Sequence, residues 1–194
     1  MVQSNEIKFL ESYSATTEVV PVVIDHLIND LGKLAFSRDE IDEIVLSMDE
    51  AITNAIQETI FKNTEDISRP HNPDRRDITV RYIINEHEFD ATIIDHGKGL
   101  DIFNIIKNVP DCKSDDYCDQ IITYATESEK NKIKVTLNGI EIPLKGIGAG
   151  LKIILNFMDQ VTIDLIDRKT VLSNAVSEHT DGTIFSMRRG RRYQ

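Results

Sequence analysis

Glu50 and Asn54 stand four residues apart in the run Asp49-Glu50-Ala51-Ile52-Thr53-Asn54. On an α-helix that separation is one turn, about 6 Å along the axis, with both side chains projecting the same way. A carboxylate beside a neutral amide oxygen suits Mg²⁺ and phosphate chemistry. The amide oxygen takes one place in an octahedral Mg²⁺ shell otherwise filled by water and phosphate oxygens, and the carboxylate is left to orient or deprotonate a nucleophile. An ordinary solvated helix face shows the same spacing, so the pair does not decide by itself. Three further groups carry chemistry. In Asp95-His96-Gly97-Lys98-Gly99 a carboxylate is followed by two glycines that allow positive φ and close approach by a ligand. Such a carboxylate can accept from an exocyclic amine such as adenine N6; a plain Gly-rich turn is the alternative. Gly146-Ile147-Gly148-Ala149-Gly150 opens directly into an apolar helical run, which turns backbone N–H groups and the positive end of a helix dipole toward an anion. No Gly-Lys-Ser or Gly-Lys-Thr follows, so this is not a Walker loop. Thr183, after Gly182, opens the last strand pattern.

The elements that must hold these groups are legible from periodicity. Ile41, Ile44, Val45, Met48, Ala51, Ile52, Ala55 and Ile56 keep the spacing of one buried helix face and predict a helix from Arg38 to Phe61, ending near Lys62. Ser37 and Glu40 offer a capping box at its start. Ser47, Glu50, Asn54, Gln57 and Glu58 form a polar stripe beside the apolar one. An earlier helix runs over Val20 to Leu31, with Pro21 tolerable only in its first turn and Gly32 where a helix would end. A short strand precedes it at 6–13. After a Pro-containing loop over 63–77, residues 78–84 and 88–95 alternate apolar and polar around Asn85-Glu86-His87, the pattern of an antiparallel hairpin with one buried face. Residues 100–108 suit one or two helical turns. Within the irregular stretch that follows, 133–137 and 140–144 flank Asn138-Gly139, a strong hairpin signal. The excursion over about 108–145 reads as a lid. A helix at 151–158 and strands at 160–166 and 183–187 complete the order.

The chain has 194 residues, 40% of them apolar and 28% charged, the balance of a single globular domain over 1–194. Its longest apolar runs are far too short to span a bilayer, and no signal-peptide core opens it, so a cytoplasmic protein is expected. A net charge of -11 and a pI near 4.9 oppose binding to nucleic acid or anionic membrane, which relies on clustered Lys and Arg. The one basic cluster, Arg188, Arg189, Arg191 and Arg192, reads as a solubilising tail over 188–194. Cys112 and Cys118 make no disulfide framework and show no metal spacing.

Taken in order, Glu50-x-x-x-Asn54, Asp95-x-Gly97-x-Gly99, Gly146-x-Gly148-x-Gly150 and Gly182-Thr183 resemble the boxes of the GHKL (Bergerat-fold) ATPases. Within that superfamily the chain looks most like the anti-sigma-factor serine/threonine kinases of bacterial partner switching, an impression strengthened by Asp49-Glu50-Ala51-x-x-Asn54-Ala55-Ile56 and Asn156-Phe157-Met158-Asp159-x-Val161. The resemblance implies an α+β fold, a two-layer α/β sandwich with helices on one face of a mixed, mostly antiparallel sheet, and ATP held between the helical layer and a mobile lid. It makes Asn54 the Mg²⁺ ligand and Glu50 the catalytic carboxylate. Asp95 would accept from adenine, Gly97 and Gly99 would admit the base, and Gly146, Gly148 and Gly150 would shape the phosphate site. Thr183 would support the adenine pocket. The implied activity is phosphorylation of an antagonist protein, with a sigma factor as a second partner and a homodimer as the implied assembly; a nucleotide-responsive switch without phosphoryl transfer is the alternative. Histidine kinases fit less well, because no dimerising hairpin carries a phosphoacceptor His. The chain departs from the family where a frequent His is Glu58, expected to add a negative charge beside the phosphates, and where Lys145 stands nearest a frequent Arg.

Overall fold

The computed structural model describes residues 5–65, 77–99, 134–137, 140–141, 149–167, 172–173 and 179–192. The first strand, β1 (Ile7–Tyr13), leads into helix α1 (Val19–Lys33) and then helix α2 (Arg38–Glu65). The expected hairpin forms over β2 (Ile78–Ile84) and β3 (Glu88–Asp95). Side chains of a strand alternate between faces, and here every apolar second position is buried: Ile78, Val80, Tyr82 and Ile84 on β2, Phe89, Ala91 and Ile93 on β3. Asn85 fixes the turn, its side-chain oxygen accepting from the N–H groups of His87 and Glu88 at 2.8 and 3.0 Å, the local bonding that suits Asn to turns.

Two short strands, β4 (Lys134–Leu137) and β5 (Ile140–Glu141), come next, followed by helix α3 (Ala149–Phe157), β6 (Gln160–Asp167), β7 (Leu172–Ser173) and β8 (Thr180–Gly190). Among the described residues the strands make one sheet in the order β1-β2-β3-β8-β6-β4-β5, with β7 on β6. The pairing is antiparallel except between β4 and β6. This is the mixed, mostly antiparallel sheet of the expected α+β sandwich. The core lies between the sheet and α1, α2 and α3, where Leu27, Ile44, Met48, Ile52, Tyr82, Ile93, Ile154 and Ile163 are buried together. Each large apolar side chain so buried contributes roughly 1.5–3 kcal/mol.

The capping box forms as expected at the start of α2. Ser37 N–H donates to Glu40 at 2.9 Å and Glu40 N–H returns to Ser37 Oγ at 3.3 Å. Other expectations change. Gly32 does not end α1; the helix runs through it to Lys33, and the left-handed residue is Ala35, with φ of 55°. Buried Leu34 and Phe36 pin that turn, and Arg191 stacks 5.2 Å over the Phe36 ring while donating to the Ala35 carbonyl. Within the segment read as a lid, β4 and β5 pair antiparallel as the sequence predicts, and β4 also extends the sheet beside β6.

The basic stretch is not a solubilising tail. Arg188 and Arg189 belong to β8 and point to opposite faces. Arg189 is only 1% exposed, pairs with Glu43 of α2 and donates to the Phe157 carbonyl. Arg188 pairs with Asp90 at 3.3 Å, and Arg192 N–H donates to Glu40 at 2.8 Å. Alternation along a strand, which sends neighbouring arginines apart, is the physical reason. The expected Gln160 and Thr183 strands are present and longer. Among the described residues no helix is long and apolar enough to cross a membrane.

Candidate functional site

Helix α2 works as a ruler along which the motif residues gather at two places. At one, Glu50 is half-buried and Asn54 exposed. The start of α3 lies over both: a Cβ on Gly150 would run into the Glu50 carboxylate oxygen and sit 3.6 Å from Asn54 Nδ2. Gly150 thus lies directly over the Glu50 carboxylate. The opening turn of α3, with N–H groups that lack helical acceptors, adjoins one carboxylate and one amide. That is an oxygen-rich, anion-attracting cradle into which Mg²⁺ and phosphate fit chemically. Among the described residues no cluster of His, Cys, Asp and Glu would hold a metal alone.

The second place lies two turns on, about 12 Å along the axis. Asp95 ends β3, 4% exposed, and its Oδ1 accepts from Gly97 N–H at 2.7 Å. Thr183 faces it across the β3–β8 ladder and donates through its hydroxyl and its backbone N–H. Burial pushes the Asp95 carboxyl up to about 7 against the pull of those donors, and the negative charge of Glu58 pushes the same way. Gly97 packs against α2: a Cβ there would lie 2.7 Å from Glu58 Cβ and 2.9 Å from the Glu58 backbone carbon. Positive φ belongs to Gly99, at 87°, and to Gly182, at 155°, where a Cβ would strike the Asp95 carbonyl oxygen.

Glu50, Asn54 and Gly150 thus come together, as do Asp95, Gly97 and Thr183, while Gly99 closes the Asp95 loop. Gly146, Gly148 and Lys145 lie outside the described residues, as do 108–133 of the expected lid. Two expectations are refined. Glu58 belongs with Asp95 rather than with the phosphate cradle; it is half-buried, its carboxyl is raised by burial, and Lys98 opposes that rise. Asp159 is structural, since its carboxylate accepts from Gly190 N–H at 2.7 Å and its own N–H donates to the Arg188 carbonyl.

Sequence reasoning missed Lys62, which it took only as the helix end. Lys62 is nearly buried and donates to the Gly97 carbonyl at 3.0 Å, the Thr180 carbonyl at 3.3 Å and Asp181 Oδ1 at 2.8 Å. Its signal was available. Glu50, Asn54, Glu58 and Lys62 form one series at intervals of four, which keeps all of them near one side of a helix.

Two solved structures share this fold. One is of the RsbU and RsbW domains of Rv1364c from Mycobacterium tuberculosis, 13% identical with a TM-score of 0.50, covering 96% of this chain and 33% of that one. The other is of the SiaB-SiaC complex from Pseudomonas aeruginosa, 14% identical with a TM-score of 0.51, covering 95% of this chain and 88% of that one. The two resemblances, of boxes and of coordinates, agree on the fold. This chain spans about a third of the length of the first structure. No protein-family model and no curated protein matches the sequence.

Proposed function

We propose that this chain is an ATP-binding protein serine/threonine kinase of the partner-switching kind. In this reading it transfers the γ-phosphoryl group of ATP to an antagonist protein and binds a regulatory partner such as a sigma factor, acting in the cytoplasm. The observation that carries the reading is the pair of sites on α2, an anion cradle at Glu50, Asn54 and Gly150 and a buried carboxylate at Asp95. Their spacing suits a nucleotide laid along the helix. The similar structures support it further: one includes an RsbW domain and the other is a complex of two proteins.

Asp95 would accept from the exocyclic amine of adenine, with the Thr183 hydroxyl holding the carboxylate in place. Asn54 would hold Mg²⁺, which when bound would neutralise charge on the phosphate oxygens. The first N–H groups of α3 would face the phosphates. Glu50, held beside them under Gly150, would orient the acceptor hydroxyl and take its proton. In phosphoryl transfer a protein mostly positions reactants and stabilises charge, so one carboxylate and one metal ligand suffice. The location of Glu58 beside Asp95 removes an objection to this chemistry, since its charge belongs to the base end.

Single-turnover transfer of the labelled γ-phosphate from ATP to Ser and Thr hydroxyls of a panel of protein acceptors tests the reading without knowledge of the natural one. Glu50→Gln should slow transfer by about 10²–10⁴-fold, the usual contribution of a positioned base, with ATP affinity kept. A wild-type protein that binds ATP and transfers nothing to any protein acceptor, alongside a Glu50→Gln variant that regulates its partner normally, would leave the nucleotide-responsive switch instead.

A further inference from the structure

Lys62 is a cation taken almost out of water at the last turns of α2, where a flexible surface lysine would ordinarily reach solvent. Its three hydrogen bonds are divided among two other elements. The Gly97 carbonyl belongs to the loop after β3, and the Thr180 carbonyl and Asp181 carboxylate belong to the start of β8. Side-chain exposure of 11% for Lys62 and 29% for Asp181 makes their 2.8 Å ion pair far less screened than a surface pair. His96 Nδ1 lies 3.3 Å from the Asp181 carbonyl and closes the same knot from the loop side.

The consequence falls on Asp95. Gly97 gives its N–H to the Asp95 carboxylate and its carbonyl to Lys62, so both polar groups of the loop's first glycine are used. Thr183, the other support of Asp95, is three residues beyond Thr180 on the strand that Lys62 anchors. Of the two groups that orient the buried carboxylate, Gly97 is bonded to the ammonium directly, and Thr183 is carried by the strand whose first residue the ammonium holds.

We propose that Lys62 is a positioning residue for base recognition: by tying the Gly97 loop and the start of β8 to α2, it fixes the Asp95 carboxylate where the base must meet it. This rests on the nucleotide reading above. Among the described residues Lys62 donates only to Gly97, Thr180 and Asp181, so its removal is expected to act on the base and to leave the anion cradle as it is.

The experiment compares adenosine, inorganic tripolyphosphate with Mg²⁺, and ATP with Mg²⁺ as calorimetric ligands of the wild type, Lys62→Met, Lys62→Arg and Asp181→Asn. Lys62→Met should weaken adenosine and ATP by about tenfold or more, the loss expected of a charge-assisted hydrogen bond, with tripolyphosphate affinity within about twofold of wild type. Lys62→Arg, which keeps the charge and donors, should recover part of the loss. Asp181→Asn leaves the lysine its two carbonyls and should cost adenosine a smaller factor. Equal losses for adenosine and tripolyphosphate, or none for adenosine, would overturn the assignment. If Lys62→Met does not melt cooperatively, Asp181→Asn decides, and unchanged adenosine affinity there counts against it. A wild type that binds tripolyphosphate and not adenosine would sink the base-site reading itself, and the role of Lys62 with it.

Discussion

The two places along α2, at Glu50 and Asn54 and at the Asp95 loop, differ in how they are built. At Glu50 and Asn54 the side chains are half-buried or exposed, and the opening turn of α3 lies close over them at Gly150. At Asp95 the carboxylate is buried, and Gly97, Thr183 and the Lys62 knot hold it from several sides. The difference teaches where selectivity and reactivity are placed. A buried acceptor discriminates among bases because a wrong partner leaves it unsatisfied. A solvated end suits a hydrated metal, three phosphates and an incoming acceptor, none of which tolerates a closed cavity.

The contrast can be probed from the largest expected effect downward. Arg189→Ala removes a buried guanidinium from a pair whose Glu43 is 27% exposed and should destabilise the fold by up to about 3 kcal/mol in chemical denaturation. Arg188→Ala, at a 48% exposed side chain, should cost about 1 kcal/mol or less. Neither change should alter the ratio of adenosine to tripolyphosphate affinity, and a shift in that ratio would mean the ends are not independent. Asn54→Ala should lower Mg²⁺-dependent ATP affinity by about 10–100-fold, the range seen when metal-site residues are disturbed, and leave adenosine unchanged in the same titration.

The pH dependence separates the ends too. Asp95 has its carboxyl raised to about 7, and the ionised carboxylate accepts more strongly from the base amine than the protonated form does. Adenosine affinity should therefore rise with pH, by up to about tenfold per unit below pH 7, and level off above. Tripolyphosphate should not follow that profile, and Asp95→Asn should abolish it for adenosine. The sign for stability is the reverse. A carboxyl raised on folding contributes stability that is full below its unfolded pKa of about 4 and is lost as pH climbs to about 7, so Asp95→Asn should flatten that part of the unfolding curve. Gly97→Ala should act at the base end as well, because the new Cβ meets Glu58 Cβ and backbone. Overpacking of this kind costs about 1–3 kcal/mol, and it should weaken adenosine before tripolyphosphate.

Much of this arrangement could be read from residues in order. Periodicity marked α2, the 78–95 hairpin and the strands after α3, because each buries one face and the apolar spacing records that face. Glu50, Asn54, Asp95 and Thr183 were identifiable because their types and their places on elements matched a known set of boxes. What the chain did not disclose was set by tertiary packing. Gly97 looked like a glycine for backbone freedom and is one for contact with α2. Glu58 looked like a residue at the phosphates because it follows Asn54, yet another turn of helix carries it to the base loop. Arg189 looked like tail charge, and only its position in β8 turns it inward to Glu43. Lys62 was passed over because lysines near helix ends usually reach solvent, and its partners lie 35 and more residues away.

The most direct test is a calorimetric titration of ATP into the purified protein with Mg²⁺ and with a chelator, repeated on Asp95→Asn. A nucleotide lying along α2 predicts binding that is strengthened by Mg²⁺ and reduced by about tenfold or more in the variant, the cost of leaving a base amine without its charged acceptor. Absence of binding under either condition, or binding indifferent to both Mg²⁺ and Asp95, would contradict the account and leave the fold as an interaction surface without a nucleotide.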